Sequence, residues 1–201
     1  VEPRLFGLSR AEPGESGASR VVKLLFMSRL VPGKGADLAI EAVRLLTQQG
    51  VEVRLTIAGD GPERPALQGL IDRTGLSERV ILAGYLRDAH KQQALSNHDI
   101  FLFPSTYGEG MPNAVLEAMA AGMAVVTTPV GGVRDFFDPA RMGRLIGEVS
   151  AQAIASQVAD MLGTPTQLLE ISRFNQGHAR DHFHPQVVAR RIHAQLIAAA
   201  Q

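Results

Sequence analysis

Cysteine is absent from these 201 residues, which excludes disulfides, thiolate metal sites and cysteine nucleophiles and is compatible with a reducing cytosol. Net charge is absent as well. Lys plus Arg number 20 and Asp plus Glu number 20, so no global basic field draws the chain to nucleic acid or acidic lipid, although a local basic patch stays open. No apolar run approaches the length of a membrane span, and no secretory signal is visible at the start. There is no internal repeat and no low-complexity tract beyond a mildly Ala-rich end. Lysine is scarce, at positions 23, 34 and 91. What the chain does have is apolar content: 45% hydrophobic residues against 20% charged is enough to bury a substantial core and too much for a disordered chain.

That apolar content is segmented. After a short extended lead-in and a polar Gly/Ser/Glu stretch over the first twenty positions, apolar runs fall at Val21 to Ser28, Leu55 to Ala58, Val80 to Ala83, Ile100 to Phe103, Ala124 to Thr127 and Met142 to Ile146. Helical periodicity fills the gaps between them. Alternation of this kind predicts about six parallel strands covered by helices on both faces, an α/β Rossmann-like domain. Helices are expected at Ser150 to Leu162, Thr166 to His178 and Pro185 to Ala199, with no strand signal among them. The length allows one large domain or two small ones, and the absence of a linker favours a single domain over 1–201.

The densest chemistry lies in EGMPNAVLE, where Glu109 and Glu117 bracket seven residues. The preceding IFLFPS reads as a buried strand, and Met111 to Gly122 as a helix that tolerates Pro112 in its first turn. Strand, loop and helix N-terminus in this order make the place where open α/β sheets bind anionic ligands. At about 100° per residue, Val115 and Met119 form the sheet-packing stripe and Glu117 faces away from the core. An ionised carboxylate accepts two hydrogen bonds, so one acid can hold a ribose diol and the other sugar hydroxyls without any proton transfer. Either acid alone reads more simply as an exposed charge. Its surroundings change that reading.

LLFMSRLVPGKGADLAIEA, LTIAGDGPERPAL, RVILAGY, EGMPNAVLE and AGMAVVTTPVGG together resemble, in order, the carboxy-terminal half of the retaining two-domain glycosyltransferases called group 1 or family 4. The likeness covers Val21 to Gly147. It implies the donor-binding half of an enzyme of the two-domain B type, which moves a sugar from a UDP-, GDP- or ADP-sugar to an acceptor. Bacterial surface-polysaccharide assembly is the implied setting, in the cytoplasm, with the full-length protein peripheral to the inner face of the membrane as one option. No separate cofactor or metal is implied. A chain that opens on Val1 fits the same expectation, that of a fragment whose amino-terminal domain supplies most acceptor contacts.

By resemblance, Arg29 and Lys34 neutralise the departing diphosphate, Glu109 contacts the transferred sugar and Glu117 the ribose. Gly33 belongs to the Lys34 loop, and Gly84, Tyr85 and Leu86 lie near the nucleobase, with Tyr85 either stacking there or packing in the core. Gly59 and Gly61 read as turn glycines, Asp60 as a cap of the following helix, and Gly131 and Gly132 as a tight turn. Two departures stand out. Pro112 has no N–H, so an anion must be met by Gly110, Met111 or Asn113, and Asp135 replaces the longer Glu usual after the paired glycines.

Three rival readings remain. HARDHFH offers His178 and His182 at the i, i+4 spacing of zinc sites, with His184 as a third ligand only if the helix ends; His90 and His98 flank a helix with solvent or capping roles. A pair of acids also suits glycoside hydrolysis, but Arg29 and Lys34 suit a phosphate leaving group that glycosidases lack. A nucleotide-sugar-binding module without transfer activity is the third.

Overall fold

Each strand is followed by a turn and a helix, and parallel neighbours need such crossovers because a tight hairpin cannot join them. The computed structural model describes residues 1–7, 21–108, 110–164 and 166–199. Its strands are β1 (Val22–Met27), β2 (Val53–Ala58), β3 (Val80–Gly84), β4 (Ile100–Phe103), β5 (Ala124–Thr127) and β6 (Gly143–Leu145). They form one sheet in the order β3-β2-β1-β4-β5-β6, with every pair parallel. The order reverses between β1 and β4, which opens a crevice beyond their carboxyl ends.

Register carries the core. Leu24 lies beside Leu55 and Ile100, and Phe26 beside Ile57 and Leu102, so these residues share a face by the period of two. That face packs under α1 (Ala36–Gln48), α2 (Arg64–Thr74) and α6 (Ala151–Leu162), through Ile40, Val43, Leu67, Ile71, Ile154 and Val158. Leu25, Phe101, Phe103 and Val125 point the other way. They meet α3 (Asp88–Asn97), α4 (Asn113–Ala120), α5 (Val133–Phe136) and α7 (Gln167–Phe183), together with Leu5 from a 3-10 turn at Pro3–Gly7. Each fully buried Leu, Ile or Phe contributes about 1.5–3 kcal/mol.

The strand expectations hold to within a residue or two at each end, and helices lie on both faces as expected. Two helix boundaries differ. α4 starts at Asn113 rather than Met111, because Pro112 takes an extended ψ of 94° and serves as the capping residue outside the first turn. α7 runs to Phe183 rather than stopping at His178, because Phe174, Ala179 and Phe183 pack on the second core and Asn175 donates to the carbonyls of Met123 and Met142. Pro185 then forbids helical geometry at His184, whose ψ is 133°. α8 (Pro185–Ala199) follows with no buried residue, leaving Val188, Ile192 and Leu196 exposed.

His178 and His182 do stack on one face of α7, ring centres 4.2 Å apart, but His184 turns to Phe6. The three histidines therefore do not converge, and no group of three or more potential metal ligands occurs among the described residues. His98 caps α3 by donating Nδ1–H to the Ala94 carbonyl, with Nε2 2.8 Å from the Thr56 hydroxyl.

Gly59 separates steric from conformational cost. A Cβ there would lie 1.8 Å from the Ser28 carbonyl oxygen, whereas one at Gly50 would meet nothing, although both have positive φ. Gly59→Ala is expected to cost about 3 kcal/mol or more and Gly50→Ala about 1 kcal/mol, read from urea unfolding midpoints. Burial, then the His182 ring, hold His178 below its ordinary value of 6.5, with Arg141 adding to this and Asp181 opposing it. The unfolded chain then binds a proton that the folded one refuses. Stability from this site is present above pH 6.5 and lost as pH falls from there towards the folded value, so His178→Gln should flatten the acid limb of a midpoint-against-pH curve.

Candidate functional site

The loops beyond the strand ends are joined to one another in the order of the strands. The Gly59 amide donates to the Gly84 carbonyl at 2.7 Å, the Leu30 amide to Asp60 at 2.9 Å, the Thr106 amide to Gly33 at 2.8 Å and the Gly132 amide to Gly110 at 2.8 Å. The β-ladder thus continues past the sheet as a relay across five loops. Gly59 and Gly61 are needed because their α-carbons press on the backbone of Ser28 and Leu30. Both are structural, as expected. Asp60 does not cap α2: its carboxylate accepts from the Gly61 amide at 2.8 Å, since Gly61 to Glu63 intervene before the helix starts.

A cleft of about 250 Å³ opens on this edge. Met27, Ser28 and Arg29 line it from the end of β1, Ala58, Gly59 and Asp60 from β2, Tyr85 and Leu86 from β3, Lys91 from α3, and Ala114 and Glu117 from α4. Arg29, Tyr85, Leu86 and Glu117, read from separate motifs, are brought together here. Tyr85 is 68% exposed at the rim, with the Arg87 guanidinium 4.9 Å from its ring centre, so it does not pack in the core. Gly84 supports the wall through its bond to Gly59 rather than lining it.

The remaining expected residues fall outside the cleft lining. Lys34 is buried to 5% exposure, its ammonium 4.4 Å from the ring centre of Tyr107, in the loop that Gly33 ties to the end of β4 at the switch point. Gly110, Met111 and Asn113 are exposed at the approach to α4; the Gly132 amide donates to the Gly110 carbonyl there, and a Cβ at Gly132 would stand 3.1 Å from that oxygen and from the Met111 methyl. Asp135 is exposed on α5 and away from the cleft lining. Glu109 lies outside the described residues.

Val115 and Met119 are fully buried against the sheet as expected, yet Glu117 opposite them is not a solvated charge. Its carboxylate meets the Lys91 ammonium at 2.7 Å, with side-chain exposures of 13% for Glu117 and 20% for Lys91. Burial pulls the Lys91 pKa down, but hydrogen bonding and charge from Glu117, with a smaller part from Glu2 at 3.4 Å, outweigh it and leave the ammonium above its ordinary value. Lys91 stays charged at neutral pH. Sequence reasoning noted it only for the scarcity of lysine; no local pattern says that α3 aims it at α4. Arg29 is exposed and, among the described residues, makes no hydrogen bond or ion pair.

Chemically, the cleft joins an apolar floor of Met27, Ala58, Leu86 and Ala114 to two cations, two carboxylates and a rim aromatic. At the start of α4 the Val115 and Leu116 amides turn to the Pro112 carbonyl, and those of Asn113 and Ala114 precede any intrahelical partner. This set suits a ligand with a planar ring, vicinal hydroxyls and an anion.

Comparison with known proteins agrees with the fold. The family profile described as "Glycosyl transferases group 1" matches residues 12–175. The "Putative colanic acid biosynthesis glycosyltransferase WcaL" of Salmonella typhimurium is 34% identical over 178 residues, 85% of this chain and 44% of that protein. The amylovoran biosynthesis glycosyltransferase AmsK of Erwinia amylovora is 34% identical over 161 residues, 78% of this chain and 39% of that protein. Among solved structures, Anabaena Alr3699/HepE in complex with UDP and glucose superposes with a TM-score of 0.78 at 25% identity, over 90% of this chain and 49% of that one. The chain therefore spans less than half the length of these relatives. With its profile match, its motif order and its Rossmann-like sheet, the chain belongs to the group 1 glycosyltransferases.

Proposed function

We propose that this chain is the donor-binding half of a retaining glycosyltransferase that moves a sugar from a nucleoside-diphosphate sugar to an acceptor. The observation that carries the reading is the convergence of Arg29 and Glu117 on one cleft at the carboxyl edge of the sheet. In this reading the planar Arg29 fork takes phosphate oxygens, and Glu117 accepts from the ribose hydroxyls. Tyr85 and Leu86 flank the base, and Lys34 in the adjacent loop adds positive charge as the bond from the anomeric carbon to the diphosphate breaks. Glu109 contacts the transferred sugar. The likeness to a fold solved with UDP and glucose supports a nucleotide-sugar donor, and the colanic acid and amylovoran relatives support a role in bacterial surface-polysaccharide synthesis. Among the described residues no helix is long and apolar enough to cross a membrane.

Calorimetry with UDP, GDP and ADP tests the site and narrows the donor. Arg29→Ala and Lys34→Ala should each weaken binding of the preferred diphosphate by about tenfold or more, the contribution of a charge-assisted hydrogen bond, and leave the bare nucleoside almost unaffected. Undiminished diphosphate binding by both variants would show the phosphate assignment to be wrong.

Transfer also requires an acceptor held against the donor with water excluded, and a two-domain cleft does this between opposing faces. This chain supplies one face. It should bind donor without releasing nucleoside diphosphate in the presence of acceptor, whereas a version carrying an amino-terminal domain should turn over. Equal turnover by the two would place the acceptor site within these residues, and donor binding without turnover by either would favour a non-catalytic binding module.

A further inference from the structure

We propose that Lys91 is a positioning residue for nucleotide recognition: it holds the Glu117 carboxylate in the orientation that accepts a ribose diol, and so sets the preference for ribo- over 2′-deoxyribonucleotides. The proposal rests on the reading of the cleft as a nucleoside-diphosphate site.

Lys91 belongs to none of the motifs that identify the cleft, yet its ammonium lies in the cleft wall 2.7 Å from Glu117 Oε1. The local backbone puts it there. Leu86 is on the wall, and Asp88, two residues on, has φ 45°, the one positive φ at a non-glycine position among the described residues. A left-handed conformation is unfavourable for a non-glycine residue and persists where surrounding structure requires it. It stands where the chain passes from the wall into α3, and Lys91, about one helical turn further, meets Glu117 of α4.

The pair contributes little as a fastening. Ion pairs with some solvent access stabilise a fold only weakly, and α3 and α4 are already anchored by Ala94, Leu95, Val115 and Met119. Its geometric consequence is larger. A carboxylate over an apolar floor, on a flexible Glu side chain, has several rotamers and no reason to present both oxygens outward. Lys91 takes Oε1, and the Glu117 carboxylate has no other hydrogen-bond partner among the described residues, so Oε2 and the remaining lone pair of Oε1 stay open to donors. Two neighbouring hydroxyls can use both. A single hydroxyl cannot, and that difference is what a ribose site measures.

The test uses the 201-residue chain and whichever of UDP, GDP or ADP it binds best, together with the 2′-deoxy form of the same diphosphate. Lys91→Met should reduce the ribo-over-deoxy affinity ratio by about threefold or more, Lys91→Arg should largely keep it, and in a Glu117→Gln background Lys91→Met should change it no further. A purely structural role would lower the melting temperature and move both nucleotides equally, leaving the ratio intact; that result overturns the proposal. Tighter ribonucleotide binding by Lys91→Met overturns it too, because Lys91 would then be competing for Glu117. Should Lys91→Met melt too early to titrate, Lys91→Gln, which keeps length and polarity, is read by the same ratio. If the parent chain binds no nucleoside diphosphate at all, the reading of the cleft falls and takes this inference with it, whereas binding with an unaltered ratio in the variants refutes the inference alone.

Discussion

The site depends on backbone hydrogen bonds that run sideways through the loops at the carboxyl edge of the sheet. Gly84 to Gly59, Asp60 to Leu30, Gly33 to Thr106 and Gly110 to Gly132 are joined in the same order as the strands β3, β2, β1, β4 and β5. Loops of this kind ordinarily carry mobile, solvated backbone. Here each is held by its neighbour, which keeps polar groups paired and fixes where side chains leave the backbone. Glycine enters because two chains cannot approach to hydrogen-bond distance where a Cβ would stand 1.8 Å from a carbonyl oxygen. A rigid edge of this kind allows residues from distant motifs to meet in one cleft with little ordering left for a ligand to induce.

The charges of the cleft are distributed unevenly on that edge. Glu117 is already engaged by Lys91, while Arg29 is exposed and, among the described residues, makes no ion pair. One carboxylate of the cleft is thus paired, and the guanidinium of the cleft is exposed. Lys34, buried against Tyr107, stands outside the cleft lining, in the neighbouring loop at the β1/β4 switch point. α4 suits its place between these features: it is short and almost wholly buried through Val115, Leu116, Ala118 and Met119, and Glu117 is its one side chain in the middle of the helix turned to the cleft.

Val188, Ile192 and Leu196 are exposed on a helix that buries nothing, an arrangement that costs apolar hydration unless something covers it. α7, in contrast, is committed to this domain through Phe174, Asn175, Ala179 and Phe183. The boundary between what serves the present core and what does not falls at Pro185.

Much of this was legible in the residues. β4 and β5 appear in the sequence at their observed limits, Ile100 to Phe103 and Ala124 to Thr127, because short apolar runs bounded by turn residues have few other solutions in an alternating chain. The stripe of Val115 and Met119, and hence the outward aim of Glu117, follows from helical period alone. Two boundaries escaped, since the start of α4 turns on the ψ angle of Pro112 and the reach of α7 on contacts made by Phe183 with residues far away in the chain. Lys91 escaped for a stronger reason. Local sequence determined that α3 exists and carries a lysine; only the folding of β3 to the sheet edge, the return of the chain to β4 beside β1, and the left-handed turn at Asp88 decided that this lysine meets Glu117, because ion pairing depends on distance in space and that distance is set by strand order.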